Sequence, residues 1–158
     1  MTNMRRKLVA GILVILAVVS TFVGCGQSGA KEVNPQQLAD RLVNEIAYQQ
    51  KPELMPEDEL GFYMEVPEGV TNIFYMSSGD TAEEVLVITA PSEEVAITMM
   101  ENVKNFLKEQ ADSFAKYVPA TVTRIEDAVL VQKGVYVVLC VSDESQKAES
   151  IIKEVFGE

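Results

Sequence analysis

The clearest chemistry in the sequence belongs to Cys25, a thiol at the end of an apolar N-terminal segment. Three basic residues at 5–7 precede an apolar run at 8–23, and Gly24 stands directly before the cysteine. This order is typical of a lipoprotein signal peptide. A small residue lets the signal peptidase reach the scissile bond, and the thiol then accepts a diacylglyceryl group. The sequence therefore predicts lipidation of Cys25.

A retained transmembrane helix is the alternative for this segment. The apolar run is shorter than the roughly 20 residues that usually span a bilayer. Phe22 and Val23 depart from the Leu and the Ser or Ala that commonly stand at those positions of a lipobox. The basic residues stay on the cytoplasmic side in both cases. We therefore expect a domain held at the extracytoplasmic face of the cell membrane, whether the leader is cleaved or retained.

Histidine is absent from the sequence, which removes most familiar catalytic arrangements. Triads with a histidine base and zinc sites built on imidazole are excluded. With Cys25 acylated, Cys140 is the one remaining thiol and has no disulfide partner. It lies in an apolar run without an adjacent base, so we interpret it as a small buried filler of a strand. The sequence therefore predicts no catalytic residue, no cofactor and no metal site.

A carboxylate-only or a Ser/Lys mechanism remains open, and the carboxylates are densest in a proline-rich stretch at 51–69. General acid and base work on a glycan needs two carboxyls at a defined separation, with one pKa raised by burial. An irregular exposed loop does not hold two carboxyls in this geometry. The stretch also lacks the sequence pattern of a calcium-binding loop. The alternative function is a carboxylate-dependent envelope-glycan enzyme. Its candidate residues are Glu53, Glu57, Asp58, Glu59 and Glu65.

The same stretch carries apolar and aromatic residues that favour packing of the loop over the core. Its tip is a candidate interaction loop, formed by Glu57, Asp58, Glu59, Phe62 and Tyr63. Further along, Ser77, Ser78 and Asp80 favour a turn over a serine site, because such residues bond their own backbone in turns.

Charge limits the partners of the domain. Removal of residues 1–24 leaves 134 residues, a length typical of one domain, with ten basic and 24 acidic residues and a net charge of −14. Such a surface repels phosphate backbones, so no nucleic acid partner is expected. Membrane attachment would come from the lipid on Cys25, and an envelope protein or polymer is the expected class of partner.

Apolar spacing sets the order of helices and strands. Helices are predicted at about 35–49 and 93–118, and a terminal helix carries Ala148, Ile151, Ile152, Val155 and Phe156. Strands are predicted at 70–76, 84–90, 127–132 and 135–142, with 122–125 extended.

These elements predict an α+β fold with the order α-β-β-α-β-β-α. About four antiparallel strands would form a two-layer sandwich with the helices on one face, leaving the other face to water or to a partner. The organisation is a signal peptide at 1–24, a lipidated cysteine and flexible tether at 25–34, and one extracytoplasmic domain at 35–158. Apart from the first helix, the predicted order consists of two ββα halves, which leaves open a duplication of a ββα unit.

The arrangement of several segments resembles a family of small Gram-positive bacterial lipoproteins that is classified as a domain of unknown function. The residues concerned are the lipobox, the capped first helix, the turn Ser77 to Glu84, the long helix that begins with acidic residues, and the run from Ala128 to Asp143. The resemblance covers Gln36 to Phe156. It implies no catalytic or ligand residues, and it implies a genomic association with membrane-bound O-acyltransferase systems.

Together these features predict a membrane-anchored extracytoplasmic lipoprotein that acts as a non-enzymatic accessory or interaction module of the cell envelope. A solute-binding protein of a transporter is excluded by size, because two lobes that close on a ligand need more than one small domain.

Overall fold

The computed structural model describes residues 33–79 and 81–158, which form one compact unit. Lipidation of Cys25, the signal peptide and most of the tether lie outside these residues. No helix within the described ranges is long and apolar enough to cross a membrane.

A five-stranded antiparallel sheet with the order β1-β2-β3-β5-β4 forms the centre of the fold. Its strands are β1 at Glu53–Leu54, β2 at Thr71–Met76, β3 at Glu84–Thr89, β4 at Val129–Lys133 and β5 at Tyr136–Val141. The two predicted hairpins, β2–β3 and β4–β5, are both present. The α+β class is confirmed, and the short β1 is an addition to the predicted strands.

In the described part of the chain, four α-helices accompany the sheet: α1 at Pro35–Glu45, α2 at Glu93–Tyr117, α3 at Val122–Glu126 and α4 at Ser145–Phe156. Short 3₁₀ helices occupy Glu59–Phe62 and Pro119–Thr121. The side chain of Asn34 caps α1 by accepting from Gln37 N at 3.0 Å, and Ser92 caps α2 by accepting from Val95 N at 3.3 Å. Both caps follow from side-chain oxygens that satisfy the unpaired N–H groups of a first turn.

Helices pack on both faces of the sheet, so the predicted placement on one face is wrong. Leu86 and Ile88 of β3 share a buried cluster with α2, whereas Val85 and Val87 share another with α1 and α4. Strands buried on both faces read as continuous apolar runs rather than alternating ones. The runs 85–88 and 137–141 have this form, and every residue in them is buried. No bare central sheet face is left for a partner among the described residues.

Two predicted elements differ because tertiary contacts override local pattern. Helix α1 ends at Glu45 rather than near Gln49, and carboxylates take the next backbone donors: Ala47 N donates to Glu144 at 2.6 Å. Residues 122–126 form α3 rather than an extended segment. This turn of helix buries Arg124 and Ile125, which an extended segment with alternating faces would not place together.

Candidate binding cavity

The five predicted loop carboxylates lie at the surface. Glu53, Glu57, Asp58 and Glu65 are exposed, and Glu59 is partly exposed in the 3₁₀ helix. None of the five lines the cavity described next.

The candidate interaction loop divides into two parts with different surroundings. Glu57 and Asp58 point to solvent, whereas Phe62 and Tyr63 line a cavity. Tyr63 packs edge-on against Phe74 and Phe106, with ring centroids 5.9 and 5.7 Å apart. The predicted packing of the loop holds for Tyr63, but Phe62 leaves 80 % of its surface exposed.

This cavity has a volume of about 380 Å³ and lies among the 3₁₀ helix at Glu59–Phe62, the β2–β3 loop and the second half of α2. We call it the aromatic cavity. It is lined by Phe62, Tyr63, Met76, Ser77, Gly79, Ala82, Phe106, Glu109, Gln110, Ser113 and Phe114. Its size is within the range of sites for small ligands or single side chains.

Helical spacing brings the lining residues of α2 to one face. Phe106, Gln110 and Phe114 are four residues apart, and Glu109 and Ser113 form the neighbouring row. Phe106 is 8 % exposed and belongs to the core, whereas Glu109 and Ser113 are exposed. The cavity therefore has an apolar floor and a polar rim supplied by one helix.

Glu84 is a fully buried carboxyl at the edge of this cavity. It is the first residue of β3, and Gln110, which lines the cavity, donates from Nε2 to Glu84 Oε2 at 3.5 Å. Glu84 Oε1 and Gln110 Oε1 are buried and have no hydrogen-bond partner among the described residues. Burial without a cationic partner raises the pKa of Glu84 to about 8, so the acid is mostly protonated at neutral pH.

The charge of Glu84 also contributes to the pKa values of two other side chains, Tyr63 and Cys140. Burial raises the pKa of Tyr63, which follows the 3₁₀ helix, and the charges of Glu59 and then Glu84 raise it further. Burial raises the pKa of Cys140 in β5 to about 11, and the charge of Glu84 contributes to that rise. Cys140 is fully buried, as the sequence predicts for a strand filler, and a thiol with so high a pKa is a poor nucleophile.

Glu83, the preceding residue, is buried on the other side of the sheet and is fully paired. Its two oxygens accept from the backbone N–H groups of Gln49 and Gln50 at 2.8 and 2.7 Å. These bonds hold the segment after α1 against the start of β3. The side chain thus satisfies two donors that the early end of α1 leaves unpaired.

A second set of contacts fixes the β2–β3 loop, which forms one wall of the aromatic cavity. Arg124 Nη1 donates to the carbonyl oxygen of Thr81 at 2.6 Å. Its Nε and Nη2 atoms contact the two oxygens of Asp143 at 2.7 and 2.8 Å. The Arg124 guanidinium holds the pKa of Asp143 below its ordinary value of 3.8. A bidentate pair of this kind positions the loop more rigidly than a single bond would.

The same loop contains a strained backbone position. Ala82 has a φ of +54°, in the left-handed region that L-residues other than glycine rarely adopt. Its side chain is buried with the cluster on the α2 face. Strain of this kind persists only where the surroundings hold it, and it is often found at functional sites.

Sequence reasoning missed Glu83, Glu84 and Gln110. The signal was the pair of glutamates directly before the apolar run 85–88. Because that run is buried on both faces, continuing its alternation backwards places one carboxyl on each face of the sheet. In the predicted turn, Ser77 Oγ pairs with Thr81 Oγ1 at 2.8 Å, and Ser78 Oγ accepts from Gln50 Nε2 at 2.7 Å.

The other large concavity is a groove of about 450 Å³ along α1. It is lined by polar side chains of Asn34 and one helix, and its guanidinium, Arg41, is already paired with Glu45 and Glu154. Within the described ranges, no group of acidic or cysteine side chains could hold a metal ion. The aromatic cavity is therefore the stronger candidate site.

The fold and the cavity define an α+β domain with a small aromatic-lined site and no recognisable catalytic set in its described part. Residues 68–142 match the family model described as a domain of unknown function (DUF4358). This segment runs from just before β2 to the end of β5 and includes Glu84 and Gln110, whereas Phe62 and Tyr63 lie outside it. Neither the curated proteins nor the solved structures contain a significant match.

Proposed function

We propose that this chain is a membrane-anchored extracytoplasmic lipoprotein and that its folded domain is a non-enzymatic interaction module of the cell envelope. The anchoring part rests on the basic, apolar and Gly24–Cys25 order of the N-terminal sequence. The binding part rests on the aromatic cavity. A lipid on Cys25 would keep that cavity close to the membrane surface, where envelope partners are found.

Phe62 is the observation that carries the binding proposal. A phenyl ring that is 80 % exposed at the mouth of a cavity has given up much of the free energy that burial would supply. A ligand or partner side chain in the cavity would cover Phe62 and Tyr63 together. Aromatic side chains that close over a partner commonly dominate the energetics of an interface.

The alternative, a carboxylate-dependent enzyme acting on envelope glycans, has one feature in its favour, the raised pKa of Glu84. The geometry supports it less well. The protonated oxygen of an acid catalyst must reach the substrate, yet Glu84 Oε1 is buried and Oε2 accepts from Gln110. The loop carboxylates that the sequence offered line no part of the aromatic cavity.

Metabolic labelling with a palmitate analogue tests the anchoring. The expected result is a labelled chain in the membrane fraction and an unlabelled Cys25→Ala variant. A matched Cys140→Ala variant should label normally, because that thiol is buried in β5. Equal labelling of the natural chain and the Cys25→Ala variant, or no labelling of either, would contradict the anchoring proposal.

Site-specific photocrosslinking in live cells tests the binding. A photoreactive phenylalanine derivative replaces Phe62 in one strain and Tyr117 in another, since Tyr117 is equally exposed at 81 % but does not line the cavity. We expect a discrete adduct from position 62 that disappears when Ser113→Trp fills the cavity. Identical adducts from both positions, or adducts that persist with Ser113→Trp, would contradict a partner bound in the cavity.

A further inference from the structure

The polar groups of the aromatic cavity are almost all hydrogen-bond acceptors or hydroxyls. Glu109 contributes an exposed carboxylate at the rim, and the amide nitrogen of Gln110 is already directed to Glu84. No Lys or Arg is among the described residues that line the cavity. A ligand that brings negative charge would therefore find no cationic partner among them, whereas a ligand that brings a cation would find the Glu109 carboxylate.

The aromatic walls of the cavity also favour a cation. Phe62, Tyr63, Phe106 and Phe114 line the cavity, and the faces of aromatic rings attract cations. Sites that recognise alkylammonium groups are commonly built from several aromatic side chains with a carboxylate beside them. The net charge of the chain, −11, also favours the approach of cations over anions.

Resting on the proposed binding function, we infer that the aromatic cavity binds an ammonium group carried on a short apolar body. The aromatic rings contact the cation and its apolar stem, while the Glu109 carboxylate accepts its hydrogen bonds. The volume of about 380 Å³ accommodates an amine with one ring or a short alkyl chain.

The test compares three small probes of similar size: phenethylamine, which is cationic at neutral pH, neutral 2-phenylethanol and anionic 3-phenylpropionate. The full chain, purified in detergent with ¹³C-methyl methionine, is titrated with each probe. Met76 lines the cavity and reports occupancy, while the fully buried Met99 serves as the internal control. We expect phenethylamine to bind about tenfold more tightly than the alcohol, with the anion weakest.

Three variants assign the preference to named groups. Glu109→Gln, at an exposed position, should lower the affinity for the amine severalfold and leave that for the alcohol unchanged. Phe62→Ala should weaken both probes, and Tyr117→Ala should weaken neither. An effect of Tyr117→Ala equal to that of Phe62→Ala would place binding elsewhere and overturn the inference.

The remaining outcomes separate this inference from the function on which it rests. Equal affinity for amine and alcohol would overturn the preference for a cation and leave an apolar binding site. Tighter binding of the anion would overturn it more strongly. If no probe moves the Met76 methyl signal at about 10 mM, the ammonium inference is wrong. The crosslinking pattern at position 62 then decides the proposed function independently.

Discussion

Glu83 and Glu84 are adjacent in the sequence and equally buried, yet their hydrogen bonding differs. Glu83 accepts two short bonds from backbone N–H groups on the α1 face. Glu84 faces α2 with one long bond and one unpartnered oxygen among the described residues. A buried carboxylate is stabilising when every lone pair finds a donor and costly when none does. Glu83 therefore stabilises the fold, whereas Glu84 lowers its stability and lies beside the aromatic cavity.

The largest effect is expected from Glu83→Gln. The amide keeps one acceptor and places its NH₂ group against a backbone donor, so one buried N–H loses its partner. We expect the free energy of unfolding to fall by about 3 kcal/mol. Urea denaturation at pH 7 measures it, with Glu57→Gln as the matched control at an exposed position. A loss no larger than that of the control would mean that Glu83 is not a structural carboxylate.

Glu84→Gln should have the opposite sign. The folded pKa of about 8 lies above the ordinary 4.5, so the folded state keeps a proton that the unfolded state releases. Stability of the natural chain should therefore fall as pH rises from about 4.5 to 8, and level off above that. Glu84→Gln should remove this slope and raise the free energy of unfolding at pH 7 by about 3 kcal/mol. Parallel pH profiles of the variant and the natural chain would contradict the assignment.

Arg124→Lys should have an intermediate effect. Lysine cannot contact both oxygens of Asp143 and the carbonyl of Thr81 at once, so we expect a loss of about 1–2 kcal/mol. The lowered pKa of Asp143 contributes stability above pH 3.8 that is lost as pH falls through the folded value. The acid side of the unfolding profile should therefore flatten in Arg124→Lys. An unchanged profile would show that the pair does not fix the β2–β3 loop.

The smallest effect on stability is expected at the mouth of the cavity. Phe62→Ala removes a ring that is already 80 % exposed, so the free energy of unfolding should change by less than about 0.5 kcal/mol. Binding of the amine and alcohol probes should nevertheless weaken severalfold. A large loss of stability would mean that Phe62 belongs to the core and is not a binding residue.

Much of the fold was readable in the sequence because local signals agreed. The two caps, the apolar spacing of α2 and α4 and the turn residues between β2 and β3 each predict the element that forms. The packing of helices on both faces of the sheet was not predicted, although the uninterrupted apolar runs of β3 and β5 already indicated burial on both faces. The ends of α1 and the helix at 122–126 depend on distant partners such as Glu83, Glu144 and Asp143. Such contacts leave no local pattern.

The cavity was predicted only in part, for the same reason. Phe62 and Tyr63 stood out in the candidate interaction loop, whereas the acidic residues beside them proved to be solvated surface. Gln110 and Glu84 are separated by strand β3, a turn and most of helix α2, and only packing brings them together. A buried glutamate in a chain with many exposed ones cannot be picked out by composition.

A carboxyl titration of Glu84 tests the central claim most directly. In the full chain labelled with glutamate ¹³Cδ, we expect its signal to titrate with a midpoint of about 8. Saturation with phenethylamine should lower that midpoint, because a nearby ammonium group favours the ionised acid. A midpoint near the ordinary 4.5 that the amine does not move would contradict both the buried, unpaired acid and its place beside the binding site.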